Sequence, residues 1–239
     1  MNGTIQKIEI SSFNCEIYLP EQYNVSDEKY PVVYVNGEKD ISEIMNKIEL
    51  HFKHDCQPFI LVGIESHNWN SDYTPWPAPA LTKKAEAFKG EADNYLYKLI
   101  YEVKPFIDEN YRTKPEPHST VIVGYSLAGL AALYTLYKTS SFGKIGSIST
   151  SMWYDGFIEF MEANRPVSNK AKVYMSLGKA EEKSRNQRMA KVGDCTRRAF
   201  HILKSQLSVK ENLTFELNNG GHFMDIPKRF EKALLWLMN

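Results

Sequence analysis

The sequence is poor in cysteine. Cys15, Cys56 and Cys195 are the only three thiols among 239 residues, and no two of them have C-x-x-C spacing. An odd number of scattered cysteines is not typical of a disulfide framework or of a structural zinc site, so a reducing compartment fits best. The first residues also lack the basic start and the apolar core of a signal peptide. We therefore predict a cytoplasmic protein.

The sequence also lacks a net charge and a long apolar run. Its 29 basic and 29 acidic residues cancel, which gives no electrostatic reason to expect a nucleic acid or an anionic membrane as partner. Residues 118–137 contain no Asp, Glu, Lys or Arg, but Gly124, Ser126 and Gly129 interrupt this run. We predict no membrane span and no nucleic-acid binding, and we expect a small molecule as the partner.

What is present is a regular alternation of strand and helix patterns. The predicted strands cover 6–10, 15–19, 32–35, 59–62, 121–123, 145–148, 173–177 and 213–217, and the predicted helices lie within 41–52, 96–107, 127–138, 180–207 and 228–238. This order predicts one α/β domain over 1–239, with a mostly parallel central sheet, an antiparallel N-terminal edge and helices on both faces. Only the stretch 65–89 shows neither the alternation of a strand nor the 3.6-residue period of a helix. Its tryptophans and prolines favour a functional loop.

One motif indicates catalysis. Residues 121–130, Val-Ile-Val-Gly-Tyr-Ser-Leu-Ala-Gly-Leu, combine a strand, a tight turn centred on Ser126 and a helix. This is the pattern of the nucleophile elbow of α/β-hydrolases, in which a strained turn exposes the serine hydroxyl at the carboxyl edge of the sheet. Ala128 replaces the second glycine of G-x-S-x-G, and it is the smallest possible replacement. The alternative is a turn of small residues with an incidental serine.

A serine nucleophile needs a base and an acid, and in α/β-hydrolases the acid and then the histidine follow the serine along the chain. Of six histidines, only His222 lies on a glycine-rich loop between the last predicted strand and the last predicted helix. The acid is expected after the seventh predicted strand, where Glu181 is our choice and Glu182 is the alternative. Asp155 and Asp194 are weaker candidates.

The fold also predicts where an oxyanion is stabilised. The oxyanion hole of α/β-hydrolases combines the N–H of the residue after the nucleophile with an N–H from the loop after an earlier strand. Here these are Leu127 and the turn 36–38, in which we favour Glu38 over Gly37. This chemistry requires no metal ion and no cofactor.

Taken together, these residues resemble a known family. The chain is similar to the esterase branch of the α/β-hydrolases that contains the enterochelin esterases, esterase D and the antigen 85 mycolyltransferases. The resemblance implies that Ser126 is the nucleophile, His222 the base and Glu181 the acid, and it supports the Glu38 amide as an oxyanion donor. Asn36 stands where the family usually has aspartate. Besides the elbow, the segments that carry the resemblance are 30–37, 72–75, 102–108, 111–113, 146–153 and 220–223.

Within this family, the segments 72–76 and 90–94 look most like the small siderophore esterases. The implied function is a serine esterase that opens the trilactone of a catecholate siderophore, such as enterobactin or bacillibactin, through an acyl-enzyme. Tyr125, Trp76 and Trp153 are the predicted substrate contacts, with the two indoles facing flat catechol rings. The alternatives are a general carboxylesterase or acyltransferase acting on small esters or thioesters, and a catalytically silent binding protein of the same fold.

Overall fold

The computed structural model describes all 239 residues and contains one eight-stranded sheet. The strands are β1 (Thr4–Ile10), β2 (Phe13–Leu19), β3 (Val32–Asn36), β4 (Ile60–Ile64), β5 (Thr120–Tyr125), β6 (Lys144–Ile148), β7 (Lys172–Gly178) and β8 (Leu213–Asn218). Their order across the sheet is β1-β2-β4-β3-β5-β6-β7-β8. β1 and β2 pair antiparallel, β2 is antiparallel to β4, and every other neighbouring pair is parallel. The predicted antiparallel edge and parallel centre are confirmed.

Nine α-helices accompany the sheet. They are α1 (Ser42–Ile48), α2 (Trp69–Asp72), α3 (Ala92–Lys98), α4 (Lys104–Asn110), α5 (Leu127–Thr135), α6 (Phe157–Ala163), α7 (Gln187–Ala190), α8 (Val192–Gln206) and α9 (Ile226–Met238). Short 3-10 turns add Glu49–His51, Pro117–Ser119, Glu181–Lys183 and Lys210–Asn212. None of the helices is both long enough and apolar enough to cross a bilayer.

Successive residues of a buried strand point to opposite sides of the sheet, so the central strands place apolar side chains on both faces, and helices cover both. On β3, Tyr34 belongs to the larger apolar cluster, which includes residues of α3, α5, α6 and α8. Its neighbours Val33 and Val35 belong to the smaller cluster, formed with α1 and α9. This arrangement is the predicted α/β-hydrolase fold, with a continuous apolar core on each side of the sheet.

The helical segment predicted at 96–107 is interrupted. A π-helical turn, Leu99–Val103, separates α3 from α4. Pro105 lies in the first turn of α4 and has no N–H to donate to the preceding turn, and its ring crowds the carbonyl four residues earlier. The wider turn makes room for that ring, so one periodic segment becomes three short helices.

Two helices lie where none was predicted. α6 follows Gly156, which has a φ of 79° and reverses the chain after a loop. α2 lies inside the stretch 65–89, which the sequence predicted to be entirely loop. Both are short and are held by tertiary packing, and this explains why local periodicity did not indicate them.

Candidate active site

Ser126 lies between β5 and α5, in the turn that the motif predicted. Its φ of 60° and ψ of −121° are outside the regions that side-chain-bearing residues normally adopt. Gly124 permits the turn, since a Cβ at this position would come within 2.3 Å of the Ala128 carbonyl oxygen. The strain is therefore maintained by close packing of the strand against the helix, and the Ser126 hydroxyl faces a cavity.

A chain of hydrogen bonds joins three residues that are far apart in sequence. The distance from Ser126 Oγ to His222 Nε2 is 3.0 Å, and the distance from His222 Nδ1 to Glu181 Oε2 is 2.7 Å. With the proton on Nδ1, the imidazole donates to the Glu181 carboxylate and its Nε2 accepts from the Ser126 hydroxyl. The structure thus brings together the three residues that the sequence predicted as nucleophile, base and acid.

The Glu181 carboxyl is buried beneath the site, on the 3-10 turn after β7. Burial alone would raise its pKa, but the hydrogen bond and charge of His222 and the Gly178 N–H, 2.7 Å away, lower the pKa below its ordinary value of 4.5. Arg229 Nη1 also donates to Glu181 Oε1 at 2.9 Å. The carboxyl is accordingly held as the anion, the form that can accept from the imidazole.

The other acidic candidates lie elsewhere. Glu182, the alternative to Glu181, is exposed and forms an ion pair of 3.1 Å with Arg197. Asp194 pairs with the same guanidinium at 2.6 Å, and Asp155 pairs with Arg188 at 2.8 Å. The structure therefore places only Glu181 against His222.

Two backbone amides are available beside Ser126. Leu127 is the first residue of α5, so its N–H has no partner within the helix and lies at the positive end of the helix dipole. The Glu38 N–H makes no backbone hydrogen bond. Glu38 follows Gly37, which has a φ of 86°, and the in-register pairing of Asn36 with Gly124 brings this turn alongside the elbow. Both predicted oxyanion donors thus lie at the same edge of the sheet.

The Glu38 side chain gives this edge an unusual carboxyl group. It lines the cavity together with Ser126, and burial, followed by the charges of Asp40 and Glu43, raises its pKa to about 7. The group therefore changes charge near neutral pH, close to the two amides.

The cavity above Ser126 has a volume of about 660 Å³, and 12 of its 23 lining residues are hydrophobic. Trp153 and Tyr125, two of the predicted substrate contacts, belong to its wall. Trp76 does not line it: its indole N–H donates to the Asp155 carbonyl at 2.8 Å, and its ring packs against Phe160, with 5.5 Å between centroids. An apolar pocket with a few convergent polar groups is typical of small-molecule sites.

Sequence reasoning did not identify three residues at this site. Ser151 Oγ lies 3.1 Å from Ser126 Oγ, Trp69 lines the cavity, and Arg229 contacts Glu181 from α9. A signal existed for Arg229, because it lies four residues before the buried Ala233 and so falls on the apolar face of its helix. No local pattern marks Ser151, since the fold alone brings it to the nucleophile.

Comparison with known proteins places this chain in a family. A family model described as "Putative esterase" matches residues 10–224. The chain belongs to this family. As a member of the esterase family, the protein is an ester hydrolase. A full-length relative, "Uncharacterized protein YbbA" of Bacillus subtilis (strain 168), is 31% identical over 244 residues, which cover 99% of this chain and 97% of the relative.

Solved structures of esterase relatives share the fold. An IroE-like serine hydrolase from Shewanella oneidensis superposes with a TM-score of 0.80 at 21% identity, covering 99% of this chain and 80% of that one. The siderophore hydrolase EstA from Aspergillus nidulans superposes with a TM-score of 0.76 at 18% identity, covering 100% and 94%. At these identities, the likeness establishes the α/β-hydrolase fold of the esterase family.

Proposed function

We propose that this esterase is a serine hydrolase in which Ser126, His222 and Glu181 form the catalytic triad. The observation that carries the proposal is the unbroken hydrogen-bond chain from Ser126 Oγ through the imidazole to a buried carboxylate, at the base of an open cavity. The combination of strained elbow, base and orienting acid is the arrangement that activates a serine hydroxyl.

In the acylation step, Ser126 Oγ attacks the carbonyl carbon of the ester while His222 Nε2 takes its proton. Glu181 holds the imidazole and stabilises the imidazolium as it forms. The N–H groups of Leu127 and Glu38 donate to the oxyanion of the tetrahedral intermediate. The C–O bond to the alcohol then breaks, and the alcohol leaves with the proton from His222.

Deacylation repeats these transfers with water. His222 takes a proton from a water molecule that attacks the acyl carbon, and the second tetrahedral intermediate uses the same two amides. When this intermediate breaks down, Ser126 Oγ recovers its proton from His222, and the carboxylic acid is released.

For the substrate, we extend the proposal to the trilactone of a catecholate siderophore. EstA, which shares the fold, is described as a siderophore hydrolase. The cavity wall contributes Phe88 and Trp153, whose ring centroids are 6.0 Å apart and which offer apolar faces to an aromatic acyl group. The ferric complex of such a trilactone would be the form delivered to this site.

The Ser126→Ala variant tests the nucleophile. We expect turnover to fall by roughly a millionfold while the far-UV circular dichroism and the melting temperature stay close to those of the wild type. A fluorophosphonate is expected to label the wild type at Ser126 and to leave the variant unlabelled, as read by intact mass. A variant that retains near-normal turnover, or a wild type that resists the label, contradicts the proposed chemistry.

Hydrolysis of ferric enterobactin or bacillibactin, followed by mass spectrometry, tests the substrate. We expect kcat/KM of about 10⁴ M⁻¹s⁻¹ or more on the trilactone, well above that on a short-chain aryl acetate. Cleavage of the acetate alone would leave the serine chemistry in place and point to small esters as substrates.

A further inference from the structure

Arg229 is the one buried cationic side chain of the protein. It is 1% exposed, and it is the bulkiest of the fully buried residues. Burying a guanidinium costs free energy unless the charge is paired and its N–H groups find acceptors. The hydrogen-bond partners of Arg229 therefore indicate its role.

Four of its five partners belong to segments that carry the proposed triad, and the fifth, Ser149, lies on the loop after β6. The two N–H groups of Nη1 are shared among three oxygens, Glu181 Oε1 and Tyr125 Oη, both at 2.9 Å, and Ser149 Oγ. Tyr125 directly precedes the nucleophile, and Glu181 is the triad acid. One guanidinium nitrogen thus joins the end of β5 to the turn after β7.

The second nitrogen holds the loop of the base. Nη2 donates to the Gly221 carbonyl at 2.7 Å and to the Asn219 carbonyl at 3.3 Å. The Tyr125 hydroxyl, which accepts from Arg229, donates in turn to the His222 carbonyl. The backbone on both sides of the imidazole is therefore bonded to Arg229, directly or through Tyr125.

We propose that Arg229 is a positioning residue for the hydrolytic reaction, which aligns Glu181 with the loop that carries His222. The inference rests on the proposed function, since it assigns Arg229 a role in that same triad. Arg229 lies beneath the site and does not line the cavity, so it acts on substrate only through the residues it holds.

The charge and the shape of the Arg229 side chain contribute separately to this positioning, and two variants distinguish them. Arg229→Lys keeps the positive charge but cannot bond five oxygens in a planar fork, and Arg229→Met removes the charge as well. Without the cation, the negative charge of Glu181 is less compensated, so we expect it to hold the imidazolium that forms on His222 to a higher pH. We therefore expect the acid limb of the kcat/KM profile to move upward in Arg229→Met and to stay in place in Arg229→Lys.

The ionisable groups around the guanidinium are few. Glu181 faces it from the turn after β7 and Tyr125 from the end of β5, with His222 behind Glu181. On its own helix, Lys232 pairs with Glu216. We therefore assign the expected shift in the acid limb of the kcat/KM profile to the Glu181–His222 pair.

The experiment measures kcat, KM and the pH profile of the wild type, both Arg229 variants and Leu237→Ala, a buried α9 residue that controls for loss of stability. Melting temperature and the fluorophosphonate-titratable fraction correct each rate for the folded amount. We expect kcat to fall about 100-fold in Arg229→Met with KM nearly constant, and the acid limb to rise by about one pH unit. Arg229→Lys should lose roughly 10-fold in kcat.

Titration of ¹³C-labelled histidine by NMR provides a readout that does not need turnover. An upward shift of the histidine titration in Arg229→Met, with no shift in Leu237→Ala, supports the inference even if no ester is cleaved. Failure to cleave any ester would count against the proposed function alone. The inference is overturned if Arg229→Met and the wild type have the same histidine titration and the same acid limb, and if kcat falls only in proportion to the folded fraction. If Arg229→Met does not fold, Arg229→Lys decides: kcat per titrated site equal to that of the wild type contradicts positioning.

Discussion

Glu181 and Glu182 are sequence neighbours with opposite surroundings. Glu181 is buried and accepts from His222, whereas Glu182 is exposed and pairs with Arg197. Both are acidic residues in the turn after β7, where the sequence favoured Glu181 as the acid and left Glu182 as the alternative. The tertiary structure sets the direction of each side chain, and only Glu181 points toward His222.

The pair provides a matched test of the proposed acid. Glu181→Gln is expected to lower kcat by about 10³- to 10⁴-fold, because an amide that donates to Nδ1 stabilises the wrong imidazole tautomer. It also leaves Arg229 without its carboxylate, so the melting temperature should fall. Glu182→Gln, which removes only an exposed ion pair, should leave kcat within about twofold of the wild type. If Glu182→Gln lost activity and Glu181→Gln did not, Glu182 would be the acid.

Glu38 combines the amide proposed to stabilise the oxyanion with an ionisable side chain. Because its pKa is raised to about 7, the carboxyl becomes negative as the pH rises through neutrality, and under the proposed mechanism this charge would repel the oxyanion. Glu38→Gln keeps the amide and the shape of the side chain. We expect the ratio of kcat/KM between variant and wild type to rise by roughly fivefold from pH 6 to pH 8.

The same shift predicts an effect on stability. A carboxyl whose pKa is raised on folding binds protons more tightly in the folded state, so its contribution to stability falls as the pH rises from the ordinary 4.5 toward 7. The melting temperature of Glu38→Gln relative to the wild type should therefore be higher at pH 8 than at pH 4. A pH-independent difference would show that the carboxyl is not perturbed.

At the scale of elements, the strands and the elbow could be predicted because their signals are local. Each central strand is a short β-branched run, and the turn at Ser126 needs small residues at fixed offsets. His222 was recognisable because a glycine-rich loop lies between β8 and α9. Arg229 and Ser151 were missed because their partners come from other segments, which local patterns do not connect. α6 was missed because seven residues give too little periodicity.

The segment 65–89 shows the limit of predicting roles from residue type. Its Trp76 and the more distant Trp153 were both predicted to contact substrate, yet only Trp153 lies in the cavity wall. Trp76 instead fixes the loop: Tyr154 donates to its carbonyl, and Gly90, with a φ of 79°, packs against its backbone so closely that a Cβ would come within 2.1 Å. An aromatic residue in a long loop can thus be an anchor for that loop.

Leucine variants of the two tryptophans test this difference. Trp76→Leu is expected to destabilise the protein by about 2 kcal/mol, which lowers the melting temperature by several degrees, with KM nearly unchanged. Trp153→Leu should raise KM about 10-fold, because the variant loses the aromatic face that the cavity offers to substrate. Steady-state kinetics and differential scanning calorimetry measure both. A raised KM in Trp76→Leu at unchanged stability would place its indole against substrate.

At the scale of the whole molecule, carboxylates tie the terminal segments of the chain to neighbouring elements. Glu49 accepts from the amides of Asn2 and Gly3, each at 2.6 Å, and from the Tyr18 hydroxyl at 2.7 Å. At the other end, Glu216 on β8 bonds Lys232 on α9. The protein has no net charge at pH 7, so overall repulsion is weak near neutrality and the first response of its stability to acid depends on such individual groups.

Glu49 therefore predicts how the fold responds to acid. Burial would raise its pKa, but the Gly3 amide, the Tyr18 hydroxyl and the Asn2 amide lower it below 4.5. A carboxyl with a lowered pKa contributes stability that is present above 4.5 and is lost as the pH falls through the folded-state pKa, since the unfolded chain then binds the proton more tightly. Glu49→Gln should lose roughly 1 to 2 kcal/mol at pH 7 and should show a flatter decline of melting temperature below about pH 5 than the wild type. The exposed Glu28→Gln should follow the wild-type curve, and a Glu49 variant that does the same would show that the N-terminal strand is held by its pairing with β2 alone.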